Sequence, residues 1–371
     1  MIAGGNGVVR PGAVCTLAQR LIELGVELAD VCARPPRWMG AIDALGQATS
    51  AFFLISAANV PWVEAAVAHP RVRAADVSIE AMATFAAIEA SIATGRPQLV
   101  LCGSGPGTLG HVWAVPAAGS QGACVLMLVP RTAPRLAGAI DIQESSHYHQ
   151  LHTVGAGLYD DVLAMEDVDE MPRIALRLRH LFSRRQGAVV QLSVPTNLLS
   201  RTCPPLPDLG AVEIGQPAPS ARILARVSRL LSGPGGPPAF FFGSGAVAYR
   251  DRLGALVERW DAVHFSTPAA TAILPGSLGV VGNAAHGDVP RRLRELDVRC
   301  VVVLGSRLGT ASGGGDDALL PPGCHIVHVD VDPAVVAGNA VATRGHRVTF
   351  VLSDIGEFLD ALADTSRSDV T

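Results

Sequence analysis

Charge is scarce in this chain. Only 17% of its 371 residues are charged, the formal net charge is −4, and no long basic run occurs. Binding of nucleic acid needs a concentrated positive surface, so the composition disfavours that class. Long apolar runs are also missing. Pro238–Phe242 and Arg299–Leu304 are strand-sized and interrupted by glycine, far short of a helix that could cross a membrane. The N-terminus has an early Arg10 but no continuous apolar stretch or cleavage pattern. A secretory leader is therefore not expected, and the cytoplasm is the default expectation. The seven cysteines (Cys15, Cys32, Cys102, Cys124, Cys203, Cys300 and Cys324) contain no CxxC pair, which argues for buried free thiols rather than a disulfide framework.

What the chain does have is apolar content (49%) with 39 glycines and 26 prolines, the composition of a tightly turned α/β protein of two or three domains. Val14, Leu17, Leu21, Leu24 and Leu28 recur at helical spacing and predict an amphipathic helix. Helical Glu80–Ile92 is followed by an apolar strand at Gln98–Cys102, and the alternation continues with strands at Cys124–Val129 and Ala188–Val194 around a helix at Met171–Ser183. Helix followed by buried strand is the unit of a parallel sheet. From Pro204 to Pro219 prolines are dense (Pro204, Pro205, Pro207, Pro217, Pro219), which marks 204–219 as a linker. A second α/β pattern follows, with a helix at Ser220–Leu231 and strands at Ala239–Phe242, Ala262–Phe265, Cys300–Leu304 and His325–Asp330. The expected fold is thus two doubly wound α/β domains with parallel central sheets, over 1–203 and 220–371.

One segment points to chemistry. Glu80 opens a helix that ends at Ala93-Thr94-Gly95-Arg96-Pro97, and the strand after it runs into Gly103-Ser104-Gly105-Pro106-Gly107. An acid in a first helical turn is explicable by the helix dipole alone. With the two glycine turns in register, however, the stretch resembles the pyrimidine-binding domain of thiamine-diphosphate enzymes of the acetolactate synthase and 2-oxo acid decarboxylase superfamily. The resemblance implies that Glu80 contacts N1′ of the aminopyrimidine and favours the tautomer that takes the C2 proton, with Gly105, Pro106 and Gly107 close to the cofactor. Ile142-Gln143-Glu144 is similar to the Phe-Gln-Glu motif of acetolactate synthases. Leu151–Gly157 is similar to the His-His-Thr-Leu-Gly-Asn-Gly stretch of pyruvate-type decarboxylases, with only the second histidine kept, as His152. By that likeness Gln143 and His152 steer the later steps. The cluster His147, His149 and His152 also admits a zinc reading. Downstream, Gly243-Ser244-Gly245-Ala246, Leu304–Leu308 and Ile326–Pro333 resemble the central domain of the same family, so the likeness runs from about Phe53 to Asn339.

Two departures shape the expectation. Where relatives carry a Phe-Gly-x-Pro-Gly turn, this chain has Leu54-Ile55-Ser56-Ala57-Ala58-Asn59. The Gly-Asp-Gly and following Asn that hold magnesium against the cofactor diphosphate have no counterpart; Gly313–Asp317 and His286–Asp288 lack the asparagine. In the family the cofactor lies between the pyrimidine domain of one subunit and the diphosphate domain of another. The resemblance therefore implies thiamine diphosphate, Mg2+ held by a separate diphosphate-binding subunit, and an α2β2 assembly acting on a small-molecule 2-oxo acid, with decarboxylation and then carboligation. A simple decarboxylase subunit and a non-catalytic partner of such an enzyme are the alternatives. Gly243-Ser244-Gly245-Ala246-Val247-Ala248 also matches a permissive dinucleotide fingerprint, although Asp261 falls too early for a ribose-binding acid; FAD stays open, and a close packing turn explains the glycines equally.

Overall fold

Alternate residues of each central strand go to opposite hydrophobic cores, the period-two signature of a sheet covered on both faces. The computed structural model describes residues 15–34, 48–133, 156–184, 186–210, 215–282, 286–309, 319–338, 343 and 345–365. They form two compact units, which divide between Ile214 and Gly215.

In the first unit the strands are β1 (Cys15–Thr16), β2 (Thr49–Phe53), β3 (Val72–Asp76), β4 (Gln98–Leu101), β5 (Cys124–Arg131), β6 (Asp161–Ala164), β7 (Ala188–Pro195) and β8 (Thr202–Cys203). Six of them make a sheet in the order β3-β2-β4-β5-β7-β6, and every pairing in it is parallel. Along β5, Cys124, Leu126 and Leu128 enter one core with Leu99 and Leu101, whereas Val125, Met127 and Val129 enter the other with Val100. Each such fully buried aliphatic side chain contributes about 1.5–3 kcal/mol, which makes β4, β5 and β7 the spine of the unit.

The first core is covered by helix α1 (Leu17–Val31), which starts later than the apolar spacing from Val14 suggests. The reason is local. Thr16 accepts from the Gln19 amide (3.3 Å) and donates its own amide to Gln19 Oε1 (2.9 Å), a capping box that fixes the helix start at Leu17. Cys15 and Thr16 then pair antiparallel with Cys203 and Thr202 as a short ribbon. The opposite core is covered by α3 (Glu80–Thr94) and α5 (Val115–Gln121), with α4 (Pro106–Val112) packed against α3 and α2 (Val60–Ala68) following the β2 loop on the first side. Gly95 ends α3 in the left-handed region (φ 69°), its amide bonded to Ser91 O at 2.8 Å, which is why the Thr-Gly-Arg-Pro sequence stops the helix there.

The second unit contains β9 (Ala239–Phe242), β10 (Val263–Ser266), β11 (Cys300–Leu304), β12 (His325–Asp330) and β13 (Arg347–Leu352), ordered β10-β9-β11-β12-β13 and parallel throughout. Phe240, Phe242, Val302 and Leu304 face one core; Ala239, Phe241, Val301 and Val303 face the other. Two doubly wound α/β units with parallel sheets are therefore what the chain forms. No helix among the described residues is long and apolar enough to cross a membrane.

Candidate functional site

In open parallel sheets, ligands bind beyond the carboxyl ends of the strands. At that end of the first sheet, β2, β3 and β4 deliver three loops, 54–59, 77–79 and 102–105. Asn59 joins two of them. Fully buried, it accepts from the Ser56 amide (2.9 Å) and donates through Nδ2 to Leu54 O (3.0 Å) and Leu101 O (3.1 Å). The segment that lacks the Gly-Pro turn is thus pinned to the end of β4 by one side chain. Ser56 Oγ, buried beneath this loop, has no hydrogen-bond partner; a side chain at Gly103 would come within 3.4 Å of it.

Glu80 is the first residue of α3, after an extended Ile79 that provides no side-chain cap. Its half-buried carboxylate takes part in none of the ion pairs found among the described residues. The neighbouring wall is α4. Gly105, at φ 54° and ψ −113°, makes the turn that a side chain would strain, and Pro106 occupies the first helical position with its preset φ. Thr108 closes the loop by donating to Gly103 O at 2.8 Å. Two glycines of this wall face Glu80 directly. A Cβ on Gly107 would lie 3.5 Å from Glu80 Oε1; one on Gly110 would lie 2.9 Å from Glu80 Cβ and 3.1 Å from Oε2. The Ser-Gly-Pro-Gly turn is more than a tight bend: it brings bare backbone against a carboxylate.

Two further polar groups, His111 and Cys102, act on Glu80, and Tyr159 acts on Cys102. His111 is fully buried on α4, its Nδ1 2.9 Å from the hydroxyl of Thr84, one turn along α3 from Glu80. Burial pushes its pKa down to about 4, opposed by the Glu80 main chain, so the imidazole is neutral near pH 7. The Cys102 thiol at the end of β4 is pushed well up by burial and by the charge of Glu80. Tyr159 is raised by burial and by Cys102, and its hydroxyl is buried without a partner. Glu80, Gly105, Pro106 and Gly107 are thus brought together at one strand-end cluster. Gln143 and His152, with the whole 134–155 segment, lie outside the described residues. No group of three or more metal-ligating side chains is assembled among the described residues.

The corresponding end of the second sheet is built differently. Gly243 donates to Leu304 O (2.9 Å) and Gly245 to Gly305 O (3.0 Å), so the loops after β9 and β11 cross backbone on backbone. A Cβ on Gly243 would meet Gly305 O at 2.3 Å, and one on Gly305, already at φ 67°, would meet Ala246 N at 2.3 Å. The segment after Gly243 is a 3-10 helix, Ser244–Tyr249, rather than the first turn of an α-helix. The glycine fingerprint here is accounted for by packing.

Comparison with known proteins agrees with this division. Residues 41–153 match the family model described as thiamine pyrophosphate enzyme, N-terminal TPP binding domain, and residues 236–362 that of thiamine pyrophosphate enzyme, central domain. Over 269 residues the chain is 24% identical to the chloroplastic acetolactate synthase 1 of Zea mays and equally to that of Oryza sativa subsp. japonica; each match takes in 69% of this chain and 40% of the relative. The chain therefore spans less than half the length of these relatives. A solved structure described as a thiamin diphosphate-dependent enzyme from Mycobacterium smegmatis superposes with a TM-score of 0.71 at 15% identity, covering 95% of this chain and 63% of that one, a likeness of fold. With both halves of the chain matched and the glycine wall set against Glu80, the chain belongs to the thiamine pyrophosphate enzyme family, of which it carries the N-terminal TPP-binding and central domains.

Proposed function

We propose that this chain supplies the pyrimidine side of a thiamine-diphosphate site in an enzyme that decarboxylates a 2-oxo acid and joins the resulting acyl unit to a second carbonyl. The observation that carries the reading is the placement of Glu80 in the first turn of α3 with the backbone of Gly107 and Gly110 beside its carboxylate. The cluster fits such a group. A flat heterocycle needs backbone walls and a few uncharged hydrogen-bonding atoms, and Ser56 Oγ is buried here without a partner.

When bound, the cofactor provides the electron sink for decarboxylation. Glu80 would hold the ring end of that group, its carboxylate being placed to hold or give up a proton at Oε1 or Oε2. The α3 dipole keeps the carboxylate favourable, and the glycines of α4 leave it reachable from the strand-end side. Thr108 and Asn59 hold the two loops in place while this occurs.

The diphosphate half, with its magnesium, is assigned to a second polypeptide in an α2β2 assembly. Supporting this, Ile79 just before α3 and Met82 and Phe85 on it leave exposed apolar side chains beside Glu80, and Trp113 after α4 is 84% exposed. Clustered apolar exposure of this kind marks a contact surface.

The test is Glu80→Gln in the chain co-purified with the product of a neighbouring reading frame that carries Gly-Asp-Gly and a downstream Asn. Loss of a positioned proton-transfer group lowers turnover by roughly 10²–10⁴-fold. Unchanged turnover would sink the assignment. Product analysis then separates carboligation from simple decarboxylation, since only the former joins two carbonyl units.

A further inference from the structure

We propose that His111 is a positioning residue that, through Thr84 and beside Gly110, ties the first turn of α3 to α4 and so sets where the Glu80 carboxylate lies. The inference rests on the reading of Glu80 as the functional carboxylate.

The argument begins with Thr84. A β-branched residue inside a helix ordinarily turns its hydroxyl to the carbonyl one turn back, which for Thr84 is that of Glu80. Thr84 is fully buried and its hydroxyl is 2.9 Å from His111 Nδ1, so the imidazole engages α3 within one turn of Glu80. The ring also lies within hydrogen-bonding reach of the Glu80 main chain, while Nε2 has no partner in good geometry. On the adjacent residue, the missing side chain of Gly110 lets α4 approach until a Cβ would stand 2.9 Å from that of Glu80. Residues 110 and 111 therefore act on one carboxylate from one helix: the first by leaving room, the second by fixing the turn that bears it.

The tie is uncharged, which matters to its function. An imidazolium or guanidinium at this place would lock Glu80 in its ionised form, because an opposite charge within a few ångströms lowers a carboxyl pKa by 1–3 units. A buried neutral imidazole holds geometry without doing so. Of the other titratable groups, Cys102, just after β4, couples to Glu80 and Tyr159 couples to Cys102, and burial holds both in their neutral forms.

The experiment uses the full chain, without cofactor or partner. The side-chain carboxyl carbon of Glu80 is followed by NMR through a pH titration, its signal assigned by loss in Glu80→Gln, in Thr84→Val, Thr84→Ser and His111→Leu. Thr84→Val and His111→Leu are expected to move the Glu80 midpoint by about half a pH unit, roughly a threefold change in its protonation constant. Thr84→Ser, which keeps the hydroxyl, reproduces the parent curve. An unchanged midpoint in folded Thr84→Val overturns the proposal, and that variant carries the test alone should His111→Leu fail to fold. The outcome is separable from the catalytic reading. A shifted midpoint together with unchanged turnover in Glu80→Gln leaves the positioning in place and removes the catalysis.

Discussion

The two units carry the same kind of sheet and put glycines at the same kind of place, the carboxyl ends of central strands, yet the glycines there face different things. In the first unit Gly107 and Gly110 face the half-buried carboxylate of Glu80. In the second, Gly243, Gly245 and Gly305 face one another's backbone. A glycine-rich turn after a strand is therefore no indicator of a ligand by itself; what its missing Cβ would touch decides the matter. Around Glu80 that neighbour is a titratable side chain, with buried polar groups close by. At the β9–β11 crossing it is an amide or carbonyl already bonded within the fold.

The largest expected effects come from a pair of alanine substitutions. Gly243→Ala pushes a methyl into the Gly305 carbonyl, which cannot retreat without parting two strands; denaturation should report a loss of about 3 kcal/mol from the second unit. Gly110→Ala meets Glu80 Cβ at 2.9 Å, an atom that no rotation moves, so α4 must give by a few tenths of an ångström; the expected stability cost is about 1–2 kcal/mol, smaller than for a clash with strand-end backbone, with a further loss expected as weaker cofactor binding in the proposed complex. Equal destabilisation by both would show that the glycines of the two units have the same role. Next is the acid response of the first unit. His111 has its pKa lowered by burial from 6.5 to about 4, so as pH falls across that window the unfolded chain takes up a proton that the folded chain refuses. Stability declines toward acid by up to ~3 kcal/mol, and His111→Asn should flatten that limb in a pH series of denaturation curves.

Glu27 on α1 tests whether the first unit's pH response is confined to its site. Burial first, and then Glu23, raises it to about 7, so between its ordinary value of 4.5 and 7 the folded chain keeps a proton that the unfolded chain releases. Stability is lost as pH rises through this window. Because the residue is half exposed the effect is discounted to about 1 kcal/mol, recovered by Glu27→Gln at pH 8 and absent near pH 4. The smallest expected change in stability, under about 0.5 kcal/mol, is for Trp113→Ala, given its exposure. Its readout is sedimentation of the mixture with the proposed diphosphate-binding chain, where weaker association would support the proposed contact surface.

The strands readable in the sequence are those dominated by apolar residues, the edge strand β10 (Val263–Ser266) among them. β4, β5, β7, β9, β11 and β12 sit inside their sheets with both faces covered, and their charged residues, Arg131 of β5 and Asp330 of β12, stand at the strand ends. β3, β6 and β13 stand at sheet edges and mix Arg73 and Asp76, Asp161, or Arg347 and Thr349 with their apolar residues, so no run announces them. β2 is interior but begins Thr49-Ser50, whose backbone need is met from afar when the Ser50 amide donates to Gln98 Oε1 at 2.8 Å. The site divides in the same way. Glu80 and the Ser-Gly-Pro-Gly turn could be named because each belongs to a local pattern. Asn59, Gly110 and His111 could not, because their meaning comes from partners brought near only by the fold: Leu101 for Asn59, Glu80 for Gly110 and Thr84 for His111.

The crossing of Gly243 and Gly305 also constrains how this chain can change over generations. Where the first obstacle is backbone, Gly305 O to Gly243 and Ala246 N to Gly305, no side chain can be trimmed to make room, so enlarging one residue is not balanced by shrinking the other. Single substitutions there are closed off in both directions at once, and the left-handed backbone at Gly305 closes the second route independently. Drift at this point of the second sheet must proceed by exchanging whole loops, with insertion or deletion as the unit of change.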